Sequence, residues 1–521
     1  MYSRKLFVGF YLLIIFSVNL LAQDISSGVR LIRSEKLAEA KKYFMSLVGS
    51  KVSDEACFYL GEIFLQQEKV DSAKLFYEKG IEANKKFPLN YAGLVRLNVL
   101  EGNSTQAEKN KEEAIDLGND KNPEVYVVLS KAYSLIKENK KAIELLNSAL
   151  KINAQHANTY LAFGKIYLQE NNGTDAVKNF QKAIDADPTN PEALTWKAKV
   201  YILINNYESA ISLLDEAIKS DPSFAPAYVE LAELYYTMKN YSKAAENYAL
   251  YLANTEVAVE KQKRYISILY LNKDYQEAID ILKEMEKTDA DNPFSIRILA
   301  YSYLRLDNNQ ISMSYFQKLF DLPKVDYLST DYENYGNLLS KTGNDSLAAL
   351  YLTKVVDLDS TRKDVLSDIS VLYFKNKKWD GVITTLERKN QLKAQEYFDL
   401  GKAYYFTQNY TKADSAFNIL TQKVPDLGIA YFWQARVKSN FDPESEQGLA
   451  QPFYEKFINL SSNDTSKFKK ELIEAYSYLG YYFFIKNDKA SSLENWLKVY
   501  ALDPENAQAK RAIDELKGTK R

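Results

Sequence analysis

The chain has 521 residues, 46% of them apolar, with 67 Lys and Arg set against 69 Asp and Glu. That balance, a net charge of −2, gives no bulk attraction to nucleic acid or to an anionic membrane surface. The single Cys excludes an intramolecular disulfide, and scarce Gly (18) and Pro (12) fit helices joined by short turns.

The N-terminus reads as an export leader. Arg4 and Lys5 form a charged start, Leu6 to Leu21 is almost wholly apolar, and Ala22 offers a small residue at the cut. A secretory signal peptide over residues 1–22 is expected. The alternative is an uncleaved anchor, although the run falls slightly short of the roughly 20 apolar residues that span a bilayer. No Cys follows it, so a lipoprotein-type anchor is not supported. An exported protein of the periplasm, or of the periplasmic face of the outer membrane, is expected.

From there the chain repeats itself. Ala157 to Pro188 shows the unit most clearly: Tyr160, Phe163, Gly164 and Tyr167 share one helical face, and Asn171-Asn172-Gly173 breaks the pattern. Ala176, Phe180 and Ala183 then form the face of a second helix, and Pro188 marks its exit. Small residues opposite large rings allow two helix axes to approach closely. Such a hairpin cannot bury its outer apolar face alone and needs like neighbours. Unit starts fall at 21, 54, 88, 123, 157, 191, 225, 259, 293, 329, 363, 394, 428 and 473, with an interval of 34 at every step from 123 to 293. Asn122-Pro123, Asn190-Pro191 and Asn292-Pro293 place Asn at the N-cap and Pro in the first turn. Asp187-Pro188, Asp221-Pro222 and Asp503-Pro504 terminate helices. They lack the spacing and the closing Glu of a calcium loop, so capping is the better reading.

The pattern of large, small, Tyr-like, Ala, Phe-like, Ala and Pro positions resembles the tetratricopeptide repeat, a helix–turn–helix unit of 34 residues. Tyr160 stands where that family usually has Trp, and Phe163 where it has Leu. The resemblance covers essentially the whole chain after the leader. It implies an all-α, right-handed solenoid of about 14 repeats. An N-terminal array over 23–328 and a C-terminal array over 329–504 are expected, followed by a capping helix and tail over 505–521. The interval widens at Asp321–Lys324, a plausible bend, and shrinks near Arg388–Lys393; Ser439 to Pro452 inserts extra polar residues.

Little in the chain supports an enzyme. The one His, His156, falls in an inter-repeat turn, and Cys57 occupies a large-residue slot of a helix with no basic neighbour in sequence. There is no phosphate loop and no metal-ligand motif, so no catalytic residue, metal or cofactor is assigned. Asp71-Ser72-Ala73, Asp345-Ser346-Leu347 and Asp414-Ser415-Ala416 resemble an O-glycosylation pattern of some envelope bacteria, and helix capping explains them equally well.

Surfaces remain. The resemblance implies that first helices line a concave side. On them Arg96, Lys131, Lys165 and Lys199 recur at one equivalent position just after the small residue, a basic ladder suited to an acidic peptide segment. Known carboxylate-binding arrays pair Lys with Asn, whereas here Ala92, Val127, Leu161 and Thr195 stand four residues earlier. The C-terminal half offers aromatic and Arg positions instead: Tyr270, Arg297, Tyr301, Arg305, Phe374, Phe398, Tyr405, Phe432, Tyr481 and Phe484. These residue types anchor interfaces, unless tight packing buries them. The expected function is a non-enzymatic scaffold or adaptor of the bacterial cell envelope, binding protein or peptide partners and no nucleic acid. It would touch the membrane only through partners or an uncleaved leader. The alternative is a carrier or sensor for a glycan or lipid-linked ligand.

Overall fold

The spacing that suggests hairpins is met by hairpins. The computed structural model describes residues 24–119 and 121–518, and the expected leader lies outside them. Among the described residues there are 29 α-helices, one short 3-10 turn and no strand. Helices begin at Pro88, Pro123, Ala157, Pro191, Ala225, Val259, Pro293 and Ser329, each at an expected unit start. Fourteen helix pairs follow one another and a single helix, Ala507–Lys517, closes the series. No described helix is long and apolar enough to cross a membrane.

The caps explain the boundaries. The Asn122 side chain accepts from the Glu124 N–H at 3.1 Å, Asn190 from Glu192 at 3.1 Å, and Asn292 from Ser295 at 3.2 Å. Each satisfies a donor that the first helical turn leaves unpaired. Inside each hairpin the two helices are joined by a turn whose residue is left-handed, at Glu68, Gly102, Lys137, Asn171, Asn205, Lys239, Lys273, Asp307 and Gly343. These positions lie fourteen residues after the unit starts. Only two of them are Gly, so most carry the strain of a left-handed side chain.

The core repeats a ring-on-small-residue contact. Phe180 is fully buried and its ring lies where a side chain on Gly164 would start; Phe417 does the same to Gly401, at 2.7 Å from the nearest possible Cβ. Tyr77 fills the space beside both Gly61 and Gly93, so one ring joins two successive repeats. Burial of such a ring supplies several kcal/mol, about 3–5 by the usual cost of truncating Phe to Ala.

The chain divides into two compact units, one up to Ile281 and one from Leu282. The first unit closes on itself. The turn of its first hairpin (Ile25–Arg33, Leu37–Leu47) meets the seventh hairpin (Ala225–Thr237, Tyr241–Asn254), the loops on either side of it and the next helix, Val259–Asn272, at separations of 189 to 226 residues. Ser34, nearly buried, donates from Oγ to the Ser223 carbonyl at 2.9 Å, and the Ala38 N–H donates to Glu256 at 2.9 Å. Glu35 accepts from the Tyr251 hydroxyl at 2.8 Å and from Lys261 at 3.0 Å. Burial works to raise the Glu35 carboxyl, but these hydrogen bonds and the Lys261 charge bring it below its ordinary value.

In the second unit the wide interval at Asp321–Lys324 is filled by rings. Phe320 lies 5.0 Å from Tyr327, 5.1 Å from Tyr332 and 4.9 Å from Tyr351, centroid to centroid. The division into arrays expected at 328/329 therefore falls inside this unit, where stacking rings bridge the longer loop. The polar insertion is shorter than expected: Ser439–Phe441 continue the helix Gly428–Phe441. Asp442 then accepts backbone N–H groups of Gln447 (3.0 Å) and Gly448 (2.8 Å), which orders the loop. The closing helix buries Ala509 and Ile513 against Trp496 and Val499, as expected of a cap.

Candidate functional site

The four ladder cations come together. Arg96, Lys131, Lys165 and Lys199 all line one cavity of about 770 Å³ in the first unit. Its wall is built from the first helices of successive hairpins, because positions 34 residues apart fall on the same side of the stack. The helices Pro123–Leu135, Ala157–Gln169 and Pro191–Leu203 contribute most of it. Arg33 and Glu35 of the closing first hairpin also face it.

The ladder is not a bare positive strip. Arg96 pairs with Glu62 at 3.0 Å, Lys165 with Glu192 at 2.6 Å and Lys199 with Glu230 at 2.7 Å. Asn158 donates to Glu124 at 3.0 Å. Each Glu comes from a neighbouring hairpin, so these bonds stitch repeats together, and the three ion pairs neutralise their part of the wall. The five cations and five carboxylates of the lining balance. Three of the four rungs expected to meet an acidic segment are thus already paired. Lys131 and Arg33 are the exceptions, exposed and with no ion-pair partner among the described residues.

Trp196 was not foreseen as a site residue. Lys165 lies over its ring at 5.0 Å and Lys199 at 4.7 Å, so the indole sits between two rungs. Each such contact contributes about 0.5–1 kcal/mol at a partly exposed site. Glu192 is partly exposed, at 27% of its side chain. Burial acts to raise its carboxyl, but Lys165 first, then Arg33 and Lys131, hold it below the ordinary value. Those three cations come from three different helices and converge on one carboxylate.

The second unit repeats the device. Lys402 and Arg436 each lie 4.8 Å from the Trp433 ring, and Arg436 pairs with Glu474 at 3.0 Å. Lys402 and Arg436 hold the same position in their repeats as the ladder cations. That periodicity was the signal that could have found them. Phe374 and Phe398 also lie under Lys402, at 5.1 and 5.5 Å. Burial pulls the Lys402 amine below its usual value.

Much of the expected aromatic and Arg face is instead structural. Tyr301 is buried and its hydroxyl donates to Asp331 at 2.5 Å; Arg297 reaches the same carboxylate from Nε at 2.9 and 3.1 Å. Asp331 is fully buried and also caps its helix by accepting the Leu328 N–H at 2.8 Å. Phe432 is buried in the core around Phe417, with Phe398 and Tyr405 packed partly against it. Arg297 and Tyr301 are thus held by the following hairpin, while Phe432 is covered by the second helix of its own, its ring 6.1 Å from Tyr454 and 5.2 Å from Phe457. Tyr270 packs on Tyr275 at 5.4 Å and Arg305 is exposed. Tyr481 and Phe484 remain open, at 42% and 43%, beside a smaller cavity lined by Trp496, Arg511 and Leu516.

His156 sits at a helix N-cap position with Nδ1 2.8 Å from the Thr159 hydroxyl and Nε2 3.6 Å from Glu124. Burial lowers its pKa, opposed by Glu124. Cys57 is buried in the core of the first hairpins, and burial pushes its thiol up. Neither is placed for chemistry on a substrate. Ser72, Ser346 and Ser415 all lie within helices.

Comparison with known proteins bears on the family. Models described as tetratricopeptide repeat match residues 54–87, 229–293 and 397–426, and one described as tetratricopeptide repeat protein 21 N-terminal ARM repeat matches 105–245. Among solved structures, the chain is similar to the C-terminal part of a TPR repeat-containing protein from Cytophaga hutchinsonii. Identity is 32% over 48% of this chain and 99% of that one, with a TM-score of 0.35. PilF of Pseudomonas aeruginosa matches at 17% identity over 40% of this chain and 95% of its own, TM-score 0.29. YrrB, described as a TPR protein with an unusual peptide-binding site, matches at 20% over 37% and 96%, TM-score 0.22. No curated protein matches the chain significantly.

Proposed function

Because this chain belongs to the tetratricopeptide repeat family, we propose that it is a non-enzymatic scaffold that holds a segment of a partner protein in the cavity of its first unit. Arrays of this family are in general non-catalytic scaffolds that bind proteins or peptides. One observation carries the reading here: equivalent positions of consecutive first helices line a single cavity large enough for an extended segment. Its wall offers the exposed Leu135, the indole of Trp196 and pre-paired charges, so a segment could be held without reordering the protein.

The finer part of the proposal is a place in the bacterial envelope. It rests on Arg4, Lys5 and the apolar run to Leu21, which have the layout of an export leader. Cell fractionation with N-terminal sequencing of the mature chain tests it. A mature start at Gln23 in an envelope fraction supports it, and an intact Met1 in the cytosol refutes it.

Affinity purification under mild crosslinking tests the scaffold. Defined protein partners, lost when Lys131, Lys165 and Lys199 are together replaced by Glu, support it. A retained glycan or lipid-linked ligand with no protein partner would favour the carrier reading, for which the apolar opening at Tyr481, Phe484 and Trp496 is the natural seat.

A further inference from the structure

The first hairpin brings to the cavity a cation that its own repeat does not use. Arg33 ends the helix Ile25–Arg33, exposed on the cavity wall. The two residues after it are fixed from far along the chain, Ser34 by Ser223 and Glu35 by Tyr251 and Lys261. Lys131 faces the same cavity from the helix Pro123–Leu135. Both cations lie close enough to Glu192 to help hold its carboxyl down, yet Glu192 is already bonded to Lys165. Around them Glu62, Glu230 and Glu35 are each committed to Arg96, Lys199 and Lys261, and Glu124 is held by Asn158. Arg33 and Lys131 are therefore the two lining cations without an ion-pair partner among the described residues, and Glu124 is the one lining carboxylate bonded to no Lys or Arg. Charge in such a confined space acts more strongly than on an open face.

We propose that closure of the first unit builds an anion seat between Arg33 and Lys131, and that it takes one acidic side chain of the bound peptide segment. The proposal rests on the peptide-binding reading above and adds the feature that fixes register. A carboxylate placed there replaces water around two cations whose neighbours are all bonded elsewhere. The rest of the segment meets a wall of pre-formed pairs. The seat is specific to the closed form, since Arg33 is held in place by the contacts of Ser34 and Glu35.

Opposed signs make the test decisive. A fluorescein-labelled Gly-Ser peptide carrying two central Glu residues, and its Gln counterpart, are titrated by fluorescence anisotropy at low ionic strength against the full mature chain. The Glu peptide is expected to bind about threefold to tenfold more tightly than the Gln peptide. Arg33→Gln and Lys131→Gln, both exposed and without bonded partners among the described residues, each abolish most of that preference. Glu35→Gln removes a negative charge from the cavity wall, so simple electrostatics makes the Glu peptide bind more tightly. A seat that depends on closure makes it bind more weakly, with faster amide exchange in Ile25–Arg33. Tighter binding by Glu35→Gln, an unchanged preference in Arg33→Gln, or equal binding of the two peptides to the parent chain overturns the seat. If equal binding is seen, the peptide-binding reading stands without it. If neither peptide binds, the seat is refuted, and crosslinking from within the cavity decides separately whether a partner enters it.

Discussion

Removing Arg297 should damage the fold of the second unit and leave partner binding elsewhere untouched. Its guanidinium makes two bonds to a fully buried carboxylate, at 2.9 and 3.1 Å, and a third to the Asp326 carbonyl at 2.9 Å. Arg297→Ala leaves Asp331 with the Tyr301 hydroxyl and the Leu328 N–H alone. Breaking a buried pair from one side costs about 3–5 kcal/mol. Arg297 retains 16% exposure, which admits some solvation, so about 3 kcal/mol is the working figure. That corresponds to roughly 150-fold in an opening equilibrium. Because Asp331 caps the helix Ser329–Lys341, the loss should be local, and amide exchange followed by mass spectrometry reads it there as faster exchange of about that factor. Joint replacement, Arg297→Ala with Asp331→Ala, should recover part of the loss, since no charge is left stranded. Exchange unchanged in that helix, with strictly additive effects of the two substitutions, would refute the assignment of Arg297 to structure and return it to the candidate surface.

Other consequences follow from the same geometry. Phe180→Ala opens a cavity beside Gly164 in a fully buried site and should cost about 3–5 kcal/mol, read as a lowered urea midpoint for the first unit. Lys239 holds a left-handed conformation at φ 60°, so Lys239→Gly should stabilise that turn by up to about 1 kcal/mol. Gly102 has open space around it but a φ of 73°, so Gly102→Val should do the reverse, with both read by thermal unfolding. Burial acts to raise the Glu396 carboxyl, but bonds from Lys389 (2.5 Å), the Lys393 N–H (2.8 Å) and Ser367 (2.8 Å) bring it below its ordinary value. Its contribution is therefore complete above the ordinary carboxylate pKa and is lost as pH falls through the depressed one. Glu396→Gln should flatten that acid limb in denaturant titrations across the carboxylate range, and an unchanged limb would contradict the assignment.

What could be read from the chain alone divides by distance along it. Helix starts and caps were legible because each depends on a few adjacent residues, as Asn190-Pro191 shows. The ladder was legible as a position, since a 34-residue period puts Lys131, Lys165 and Lys199 in line. Its charge was not, because Glu192 and Glu230 approach from the next hairpin and no local pattern says which rotamer reaches across. Aromatic positions misled for a related reason. Tyr301 falls on a helical face that the following hairpin bonds, and Phe432 on one that the second helix of its own hairpin covers. The closure through Glu35 left no local trace, since Tyr251 and Lys261 lie more than two hundred residues away. The left-handed turn residues were hidden by their identity, with Lys, Asn, Glu and Asp standing where Gly would have announced the conformation.

The binding role assigned to the first unit is tested most directly from inside it. A photoreactive residue at Leu135, which is 48% exposed and lines the cavity, is compared with one at Leu358, 57% exposed and outside it. After illumination in cells, position 135 should yield a covalent adduct with a defined partner protein and position 358 none. Adducts at neither position, or the same adducts at both, would contradict a partner held in the cavity.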